Sequence, residues 1–445
     1  MIPPADISPD FRIEAPNFDS GVATFRYSLE GLGFAETLSF QPGFDRGAPA
    51  LPVFRRLLDL TALVLGTSYY KLRAPLTIDA TALALTESER AFGIDVYENG
   101  LGEFYARNKL QRFGRLTLNV GPGGMAASAP ALPHRILLPI GGGKDSLVSV
   151  ALLESAGAEF TPFAVNPRGP IVTSIQRIDR GSIGVLRRLD PEMIMLGTQP
   201  GYYNGHVPST AINSMIAALC CILYGFDRIV LSNERSASEG NTDWDGREVN
   251  HQYSKSIDFE DHIARILSDA TFGSLGYFSL LRPYSEAKIA RLFARSTKFD
   301  DVFSSCNRNF KYDGHNGPLW CGECPKCHFV FLIMAPEMTK DRLIGIFGKN
   351  LLANPANEHS FRELTGLAGQ KPWECVGEIL EAAACLWELT NRPEWADEPI
   401  VAALKPDLLA QYGEPALSAA LNELMTDSAD HRVPADLAQR VVHAS

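Results

Sequence analysis

The sequence contains no long apolar run. No apolar stretch reaches the roughly 18 residues that a membrane-spanning helix needs, and the segment ALCCILYGF at 218–226 is far too short. The opening residues, MIPPADISPDFRIEA, contain neither the basic segment nor the apolar segment of a secretion signal. The sequence therefore predicts a cytoplasmic protein without a membrane partner.

Positive charge is also scarce. Lysine and arginine together number 41 against 52 aspartate and glutamate residues, which gives a net charge of -11. Such a chain has no broad electrostatic attraction to RNA, DNA or anionic lipid, although the net charge is compatible with a local basic pocket. The charge therefore argues against a nucleic-acid partner, and it does not indicate an oligomeric state.

Cysteine is absent from the chain before Cys220. All eight cysteines lie between Cys220 and Cys385, and four of them fall within 306–327. In a reducing compartment, such clustering indicates a metal site rather than disulfide bonds.

The clustered cysteines have the spacing C-x14-C-x2-C-x2-C and are Cys306, Cys321, Cys324 and Cys327. Two-residue spacings let neighbouring thiolates converge on one ion, and four thiolates close a tetrahedral zinc site. We predict a structural Zn²⁺ ion, because a closed site has no open position for substrate. The alternatives are an iron–sulfur cluster, a site in which His315 or His328 replaces one cysteine, and unligated core thiols. Helical apolar positions assign the other cysteines to the core: Cys220, Cys221, Cys375 and Cys385.

The first part of the chain predicts an α+β unit. VATFRYSLEGLGFAETLSF (22–40) contains two strand-like runs around a glycine-containing turn, as in a β-hairpin, and LPVFRRLLDLTALVLG (51–66) has helical apolar spacing. NVGPGGMAASAPALPHR (119–135) is rich in Gly, Pro, Ala and Ser, which is typical of a linker or surface loop. We therefore expect an N-terminal α+β domain over residues 1–130, for which substrate binding is a candidate role.

From residue 135 the pattern changes to alternating strands and helices. Strands are predicted at RILLPI (135–140), EFTPFAV (159–165), MIMLGT (193–198), DRIVLSN (227–233) and YFSLLRP (277–283). Helices between them include DSLVSVALLESAG, closed by Gly157, and STAINSMIAALCCILYGF, closed near Gly225. This alternation predicts an α/β fold, a parallel sheet with helices on both faces, over residues 131–330. Helical apolar spacing in ECVGEILEAAACLWEL (374–389) predicts a C-terminal helical region over 331–445.

The segment ILLPIGGGKDSL (136–147) places three glycines between the first strand and the first helix of this predicted core. Glycines allow positive φ and close backbone approach, and the amides of a helix N-terminus attract anions. The pattern predicts a phosphate site formed by Gly141, Gly142, Gly143, Lys144, Asp145 and Ser146. It matches neither the Walker A loop nor the G-x-G-x-x-G dinucleotide fingerprint. The alternative is a tight turn capped by Asp145 or Ser146.

The stretch GGGKDS (141–146) resembles the SGGxDS signature of the PP-loop ATP pyrophosphatase superfamily, with Gly141 in place of its first serine. The resemblance implies a PP-loop, HUP-like core that cleaves ATP between the α and β phosphates and adenylates a substrate. It also implies that the loop amides hold pyrophosphate and that Asp145 helps to bind Mg²⁺. Asn166, directly after the second predicted strand, is a candidate for contacting the nucleotide.

A longer set of motifs resembles the MurL family: LLPIGGGKDSLVS, NGHVPSTAINS (204–214), VLSNERSASEGN (230–241), NHQYSKS (250–256) and WCGECPKC. This family is the UDP-N-acetyl-α-D-muramoyl-L-alanyl-L-glutamate epimerase of peptidoglycan precursor synthesis. The resemblance implies that ATP adenylates the α-carboxylate of the terminal L-glutamate, after which a base removes the α-proton and the proton returns on the other face. Water then releases the D-epimer and AMP.

The polar stretch after the fourth predicted strand supplies candidates for that chemistry. Glu234 stands at the carboxyl end of the strand, where ligands bind in open sheets. His251, Tyr253 and Lys255 alternate, so in an extended segment they share one face. Candidate proton-transfer groups are Glu234, His251 and Lys255. Candidate substrate-binding groups are Arg235, Arg247 and Tyr253, and the alternative for each residue is a solvated polar loop.

Two other functions fit parts of the same pattern. The glycine loop together with C-x2-C-x2-C is similar to 7-cyano-7-deazaguanine synthase, a small enzyme without this chain's N-terminal unit and helical extension. A zinc-stabilised nucleotide sensor would bind ATP at the same loop without turning it over. Several members of the PP-loop superfamily add ammonia to the adenylated substrate and usually carry an attached glutaminase with a nucleophilic cysteine. The N-terminal unit is not a glutaminase of that type, because no cysteine precedes Cys220.

Overall fold

Strands from the N-terminal segment and from the region after residue 135 form one continuous sheet of 11 strands. The computed structural model describes residues 11–123, 132–310, 317–369 and 371–442. Within these ranges the protein is a mixed α/β structure in which helices cover a large sheet. Of the predicted linker at 119–135, residues 124–131 lie outside the described residues, whereas residues 119–122 form the end of a strand, so the linker prediction is wrong there.

The strands of the large sheet, within the described ranges, are β1 (Phe11–Ile13), β2 (Asn17–Asp19), β3 (Val22–Leu29), β4 (Leu32–Phe40), β5 (Thr77–Leu85), β6 (Thr117–Pro122), β7 (Ile136–Pro139), β8 (Phe160–Val165), β9 (Ile183–Arg188), β10 (Arg228–Leu231) and β13 (Gly276–Ser279). A separate hairpin consists of β11 (Thr242–Trp244) and β12 (Arg247–Val249). The order across the large sheet is β13-β10-β7-β8-β9-β4-β3-β1-β5-β6, with β2 paired to β3.

The helices of the described residues are α1 (Pro52–Leu65), α2 (Thr67–Tyr70), α3 (Glu87–Glu98), α4 (Gly102–Asn108), α5 (Lys144–Ser155), α6 (Pro170–Ile178), α7 (Pro191–Leu196), α8 (Ser209–Tyr224), α9 (Ile257–Thr271), α10 (Glu286–Ala294), α11 (Pro325–Met334), α12 (Lys340–Phe347), α13 (Glu358–Leu364), α14 (Ile379–Thr390), α15 (Pro399–Gln411), α16 (Glu414–Leu424) and α17 (Ala435–Val442). None of these helices has the combination of length and apolarity needed to cross a bilayer. From α11 onward, the described residues contain helices and short 3₁₀ turns but no strand.

Five parallel strands, β13, β10, β7, β8 and β9, form the part of the sheet that carries the glycine loop. The chain order reverses at β7, because β8 and β9 lie to one side of it and β10 and β13 lie to the other. In open α/β sheets, ligands bind outside the carboxyl ends of the strands at such a reversal. The glycine loop follows β7 and Glu234 follows β10, so both lie at this position.

Side chains of the central strands alternate between two buried cores. In β7, Leu137 belongs to the core that includes α1, α8 and α9, whereas Ile136 and Leu138 belong to the core that includes α5, α10 and α11. In β13, Tyr277 and Phe278 divide between the two cores in the same way. Both faces of the central strands are therefore buried under helices, which confirms the predicted α/β class.

One of the five predicted core strands is wrong. Four of them coincide with β7, β8, β10 and β13, but the segment predicted at 193–198 lies largely in α7, and the third strand is β9. Pro191 occupies the first turn of α7, and the Asp190 side chain caps it by accepting from the Glu192 N–H at 2.8 Å. Met193 and Leu196 are buried at helical spacing. An N-cap aspartate followed by proline is a helix start signal that outweighs the apolar run.

The predicted N-terminal hairpin is present as β3 and β4. Glu30 and Gly31 join the strands with φ values of 53° and 83°, as tight hairpin turns require. β4 then pairs antiparallel with β9, from Thr37 opposite Arg188 to Phe40 opposite Val185. The sheet therefore passes without a break from the N-terminal strands into the parallel core, while a domain boundary near residue 130 stays a prediction.

The predicted C-terminal helix at 374–389 begins later than expected, as α14 at Ile379. Cys375 consequently lies in an irregular, half-buried segment, and its assignment to a helical core position is wrong. Pro372 and Gly377 flank this segment, and both residue types disfavour a helix interior. The other three cysteines assigned to the core are buried in helices as predicted: Cys220, Cys221 and Cys385.

A buried ion pair fastens β9 to β4. Arg187 Nε lies 2.5 Å from Oε1 of Glu36, which is fully buried, and the same guanidinium donates to Ser68 Oγ at 2.9 Å. Burial raises the pKa of Glu36, and the charge of Arg187 opposes that shift. Because removal of one partner leaves an uncompensated buried charge, the pair resists separation of the two strands.

We expect Arg187→Met to lower the free energy of unfolding by about 3–5 kcal/mol, because Glu36 stays buried without its cation. The double variant Glu36→Gln/Arg187→Met should recover part of this loss, since it buries no charge. Urea unfolding curves measure both effects, and Arg188→Met, at the exposed neighbouring position, is the control. An Arg187→Met variant as stable as the parent protein would contradict this account.

A second buried acid joins α14 to α10. Glu381 Oε1 accepts a hydrogen bond from the Ala287 N–H at 2.8 Å, and among the described residues Glu381 Oε2 has no hydrogen-bond partner. Burial raises the pKa of Glu381 to about 8, and the charge of Glu286 adds to the rise. The folded protein therefore holds a proton on Glu381 at neutral pH, whereas the unfolded chain releases it.

This proton makes stability depend on pH. Because the folded-state pKa is raised, the contribution of Glu381 to stability is complete at acidic pH and is lost as the pH rises from about 4.5 to about 8. Glu381→Gln removes the ionisation, so its melting temperature relative to the parent protein should increase between pH 5.5 and pH 8.5. Thermal unfolding at both pH values tests this, with the exposed Glu423→Gln as control. A difference that does not change with pH would refute the assignment.

Candidate functional site

The glycine loop leads from β7 directly into α5. Gly142 has a φ of +77°, and a Cβ there would lie 2.9 Å from the backbone nitrogen of Ile171, so a larger residue does not fit. A Cβ on Gly143 would lie 2.7 Å from Ser305 Oγ, whereas a Cβ on Gly141 would have nothing within 4 Å. The loop is therefore packed closely at Gly142 and Gly143 and open at Gly141.

The first turn of α5 has no side-chain cap. Gly143 is the N-cap residue, and the Ser146 hydroxyl donates back to the Gly143 carbonyl at 3.2 Å instead of accepting from an amide. The alternative of a turn capped by Asp145 or Ser146 is therefore wrong. Backbone N–H groups at an uncapped helix N-terminus are suited to binding an anion.

Lys144 is turned into the protein and is 1% exposed. Its ammonium group pairs with the carboxylates of Asp145 and Glu286. Burial alone would lower the pKa of Lys144, but the two carboxylates raise it above its usual range. Since Glu286 is the first residue of α10, Lys144 ties the loop to α10 and its charge is already engaged by carboxylates.

Further charged groups lie around Asp145. Burial would raise the pKa of Asp145, but Lys144, Lys326 and Lys255 lower it, so this carboxylate stays ionised. Glu234 is 5% exposed, and its charge acts on both Lys255 and Glu286. We call these six residues the charged cluster: Lys144, Asp145, Glu234, Lys255, Glu286 and Lys326.

The polar stretch after β10 is not extended, so the predicted sharing of one face by alternate residues is wrong. Residues 242–249 fold into the hairpin of β11 and β12, whose turn residues Asp245 and Gly246 have φ values of 49° and 78°. An Asp-Gly pair favours such a two-residue turn. Residues 253–255 then form a 3₁₀ turn, which sends neighbouring side chains in different directions.

Tyr253 and Lys255 consequently meet different partners. The Tyr253 hydroxyl donates to Asp95 Oδ1 at 2.6 Å. The Lys255 ammonium donates to Gln252 Oε1 at 3.1 Å and to Cys375 Sγ at 3.5 Å. Of these two candidates, Lys255 is in the charged cluster, and Tyr253 is engaged with α3.

His251 belongs to a group drawn from three segments of the chain. Its Nδ1 lies 2.5 Å from Oε2 of Glu103 in α4, and His206 Nδ1 lies 3.4 Å from the same oxygen. Burial would lower the pKa of His251, but hydrogen bonds to Cys375 and Glu103 raise it to about 9. Burial lowers the pKa of His206 to about 4, and the charge of His251 adds to the shift. At neutral pH, His251 is therefore cationic and His206 is neutral.

The remaining predicted residues are placed outside the charged cluster. Arg247 is exposed and pairs with Glu98 at 3.0 Å. Asn166 donates to the Arg187 carbonyl and accepts from the Arg187 N–H, both at 2.8 Å, so its amide spans β8 and β9. Arg235 begins the short 3₁₀ turn that follows Glu234.

The four clustered cysteines converge in space. Their Sγ atoms all lie within 4.8 Å of one another, and Cys327 Sγ lies 3.7 Å from Cys321 Sγ and 3.5 Å from Cys324 Sγ. A tetrahedral ion with metal–sulfur bonds of about 2.3 Å separates its sulfurs by about 3.8 Å. The arrangement is therefore able to hold a metal ion, with ligands Cys306, Cys321, Cys324 and Cys327.

The two histidines considered as alternative ligands are not part of this group. His328 Nδ1 lies 2.8 Å from Ser360 Oγ, and His328 is not among the converging side chains. His315 lies outside the described residues. Within the described ranges, the four thiols alone form the cluster.

A short segment joins the cysteine group to the glycine loop. The Ser304 N–H donates to the Gly142 carbonyl at 2.9 Å, and Ser304 Oγ accepts from the Cys306 N–H at 3.1 Å. Ser305, between these residues, is the side chain that excludes a Cβ at Gly143. The position of Cys306 therefore bears directly on the shape of the loop.

Two cavities lie away from the charged cluster. A cavity of about 590 Å³ lies beside Phe18, Phe44 and Arg46, and another of about 250 Å³ lies beside Tyr253 and Asp258. No residue of the charged cluster lines either cavity. Topology and chemistry together therefore identify the carboxyl ends of β7 and β10 as the candidate site.

Sequence reasoning missed five residues that the structure brings to this region: Glu103, His206, Glu286, Lys326 and Cys375. Lys326 could have been found from its place inside the C-P-K-C motif. The apolar spacing around Cys375 pointed to the core instead. No local sequence signal links Glu103, His206 or Glu286 to the site, because each becomes its neighbour only through the tertiary fold.

Comparison with known proteins matches most of the chain to one family. The MurL N-terminal domain model matches residues 5–280, and the MurL C-terminal domain model matches residues 302–418. The chain is 40% identical over 429 residues to the UDP-N-acetyl-alpha-D-muramoyl-L-alanyl-L-glutamate epimerase of Xanthomonas oryzae pv. oryzae, which covers 95% of this chain and 94% of that protein. It is 39% identical over 424 residues to the protein of the same name from a Micromonospora species, with 93% of each chain covered. The glycine loop, the four cysteines and the polar stretch between them thus lie within matched segments, and the chain belongs to the MurL family.

Proposed function

We propose that this protein is an ATP-dependent epimerase that converts the terminal L-glutamate of UDP-N-acetyl-α-D-muramoyl-L-alanyl-L-glutamate to D-glutamate. The observation that carries the proposal is the alignment with relatives of that name over more than nine tenths of the chain. The glycine loop at the reversal of strand order supports it independently, since nucleotides bind at that position. The substrate is a small molecule, and the reaction serves peptidoglycan precursor synthesis in the cytoplasm, where ATP is available.

The phosphates of ATP fit the glycine loop of a PP-loop core. The loop is open at Gly141, the amides at the start of α5 have no side-chain cap, and both features favour a bound anion. Lys255 and Lys326 lie near enough to stabilise the Asp145 carboxylate, and they would also offset phosphate charge. Mg²⁺, held by the ionised Asp145, would neutralise part of the negative charge on the phosphates.

The need for ATP follows from the acidity of the α-carbon. Removing the α-proton of a free glutamate carboxylate would place a second negative charge beside the first. Adenylation removes the carboxylate charge and makes the α-proton more acidic, so a side chain is able to take it. The products of the full cycle are the D-epimer, AMP and pyrophosphate.

Three side chains named from the sequence remain candidates for handling the proton: Glu234, His251 and Lys255. Glu234 and Lys255 are both in the charged cluster, and His251 reaches it through Cys375. Among the substrate-binding candidates, Arg235 follows Glu234 directly, whereas Tyr253 and Arg247 already have carboxylate partners. Glu103 brings the N-terminal segment to His251, which supports a substrate-binding role for residues 1–130.

The cysteine group would serve a structural role as a zinc site. Four thiolates complete a tetrahedral coordination shell and leave no position for substrate. The sulfur separations of 3.5 and 3.7 Å are those that such an ion needs. Through Ser304 and Ser305, the ion would hold the glycine loop in shape.

The reaction itself is tested with ATP and UDP-N-acetylmuramoyl-L-Ala-L-Glu. We expect equal amounts of AMP and pyrophosphate, D-glutamate on chiral analysis after hydrolysis, and deuterium at the α-carbon when the reaction runs in D₂O. An amide or nitrile product with an unexchanged α-carbon would instead favour the function similar to 7-cyano-7-deazaguanine synthase. ATP binding without turnover would favour the nucleotide sensor.

A variant of the glycine loop tests the role of the Asp145 carboxylate in the same reaction. Asp145→Asn keeps the side-chain shape but removes the charge, so we expect pyrophosphate release to fall by about 100-fold, in line with the loss of one preorganised electrostatic contact. Asp243→Asn, on the exposed β11–β12 hairpin, is the control and should retain the parent rate. Unchanged pyrophosphate release in Asp145→Asn would remove this carboxylate from the mechanism.

Metal analysis tests the cysteine group. We expect about one zinc per chain, as a four-thiolate site predicts, and loss of zinc with reduced stability in Cys324→Ser. Cys385→Ser removes a buried thiol outside the group and should retain the metal. Iron with sulfide would indicate the iron–sulfur alternative, and a protein without either metal would disprove a metal site here.

A further inference from the structure

Cys375 lies where the charged cluster meets the His251 group. Its Sγ is 3.5 Å from the Lys255 ammonium, and its carbonyl oxygen accepts from the Lys326 ammonium. His251 also lies beside the Cys375 side chain and lowers the pKa of its thiol. The thiol therefore lies on an irregular, half-buried segment and faces the Lys255 ammonium.

Three side chains, Glu103, His251 and Cys375, lie next to one another in that order. Glu103 holds His251 Nδ1 at 2.5 Å, and His251 in turn contacts Cys375. A cysteine joined to a histidine that is oriented by a third group is the arrangement by which proteins activate a thiol. The three residues come from α4, from the turn after β12 and from the segment before α14, so the fold assembles them from distant parts of the chain.

The charges facing Cys375 favour its ionised form. Burial raises the pKa of the Cys375 thiol, but Lys255, His251 and Lys326 lower it to about 6. At Cys385 in α14, no cation offsets the effect of burial, which raises the pKa of that thiol well above its usual range. At neutral pH, Cys375 is therefore a thiolate paired with cations, and such thiolates are reactive.

The charged groups also bear on two of the three candidate bases, His251 and Lys255. Hydrogen bonds to Cys375 and Glu103 overcome burial and hold His251 cationic, with a pKa of about 9. Burial would lower the pKa of Lys255, but the charges of Cys375, Glu234 and Asp145 raise it above its usual range. Neither cation is able to accept a proton at neutral pH, whereas a thiolate beside them is.

We propose that Cys375, positioned by His251 and Lys255, is the base that removes the α-proton of the activated glutamate. This inference rests on the function proposed above and names the group that performs its second step. In the step, the α-carbon–hydrogen bond breaks, the Cys375 sulfur–hydrogen bond forms, and the electron pair moves into the enolate of the adenylated carboxyl group. A proton from water returns to the opposite face of the carbon, and the thiol then loses its proton to solvent.

Lys255 and His251 become positioning residues in this scheme. Their positive charges keep the thiol ionised before the reaction, and Lys255 lies between Cys375 and the Asp145 end of the glycine loop. Their effect on the proton transfer therefore passes through the ionisation of Cys375. Replacing either one should alter the pH dependence of the thiol as well as the rate.

The first experiment separates adenylation from proton transfer in the full-length protein. Cys375→Ser should retain pyrophosphate exchange into ATP that depends on UDP-N-acetylmuramoyl-L-Ala-L-Glu, while deuterium uptake at the α-carbon falls by about 100-fold or more, the usual contribution of a general base. Cys385→Ser is the matched control and should keep both activities. A Cys375→Ser variant with the parent rate of deuterium uptake overturns the proposal, as does a glutamyl thioester on Cys375 detected by mass spectrometry.

The second experiment needs no turnover. Alkylation of Cys375 by iodoacetamide, followed on its peptide by mass spectrometry, should have a midpoint near pH 6 in the parent protein. The midpoint should rise in Lys255→Met and stay low in Lys255→Arg, which keeps the charge. A midpoint near 8.5, the value of an ordinary thiol, or a thiol that does not react, overturns the proposal.

The experiments distinguish a failure of the proposed function from a failure of the proposed role of Cys375. A parent protein that shows no substrate-dependent pyrophosphate exchange refutes the proposed function and with it the role of Cys375. A parent protein that epimerises normally, together with an equally active Cys375→Ser variant, refutes the role of Cys375 alone.

Discussion

The antiparallel pairing of β4 with β9 is the constraint on which the rest of the structure depends. It joins the N-terminal strands to the parallel core in one sheet, and the buried pair of Glu36 and Arg187 holds the two strands together where they meet. With this junction fixed, α4 is placed against the β11–β12 hairpin region, and Glu103 reaches His251. Residues that are distant in sequence thereby share one site, and no single segment of the chain contains it.

The site itself is an arrangement of opposite charges at the carboxyl ends of two neighbouring strands. Lys144, Lys255 and Lys326 lie among Asp145, Glu234 and Glu286, several of them deeply buried. Such a cluster is stable only because each charge has a partner, since an isolated buried charge costs several kcal/mol. Despite burial, the neighbouring carboxylates raise the pKa of Lys144, and Cys375, Glu234 and Asp145 raise that of Lys255, so both are unsuited to act as bases.

The sequence predicted those features that depend on local chemistry. The glycine loop between a strand and a helix, the hairpin at 22–40 and the convergence of four cysteines each follow from residue types at short spacing, and each is present. The third core strand was missed because an apolar run at 193–198 resembled a strand more than IGVLRR (183–188) did, although the Asp190-Pro191 pair signals a helix. The conformation after β10 was missed because an Asp-Gly turn folds back a stretch that looked extended.

Cys375 shows why sequence spacing did not predict the other residues of the site. Its apolar neighbours in sequence indicate a core position, but its neighbours in space are Lys255 and His251, more than a hundred residues earlier in the chain. Ionisation of a side chain is set by spatial neighbours, so spacing alone does not reveal it. The same reasoning applies to Glu286, whose role as partner of Lys144 depends on α10 packing against α5.

The hydrogen bonds of Ser304 have a consequence for how two ligands influence each other. This residue connects the backbone of Cys306 with that of Gly142, so the cysteine group and the glycine loop are joined through one residue. If an ion at the thiols favours the loop shape that accepts phosphate, then bound phosphate must favour the ion by the same factor, because linkage is reciprocal. On the proposed function, the metal site and the nucleotide site would then be thermodynamically coupled, and loss of the metal would appear as a weaker affinity for ATP.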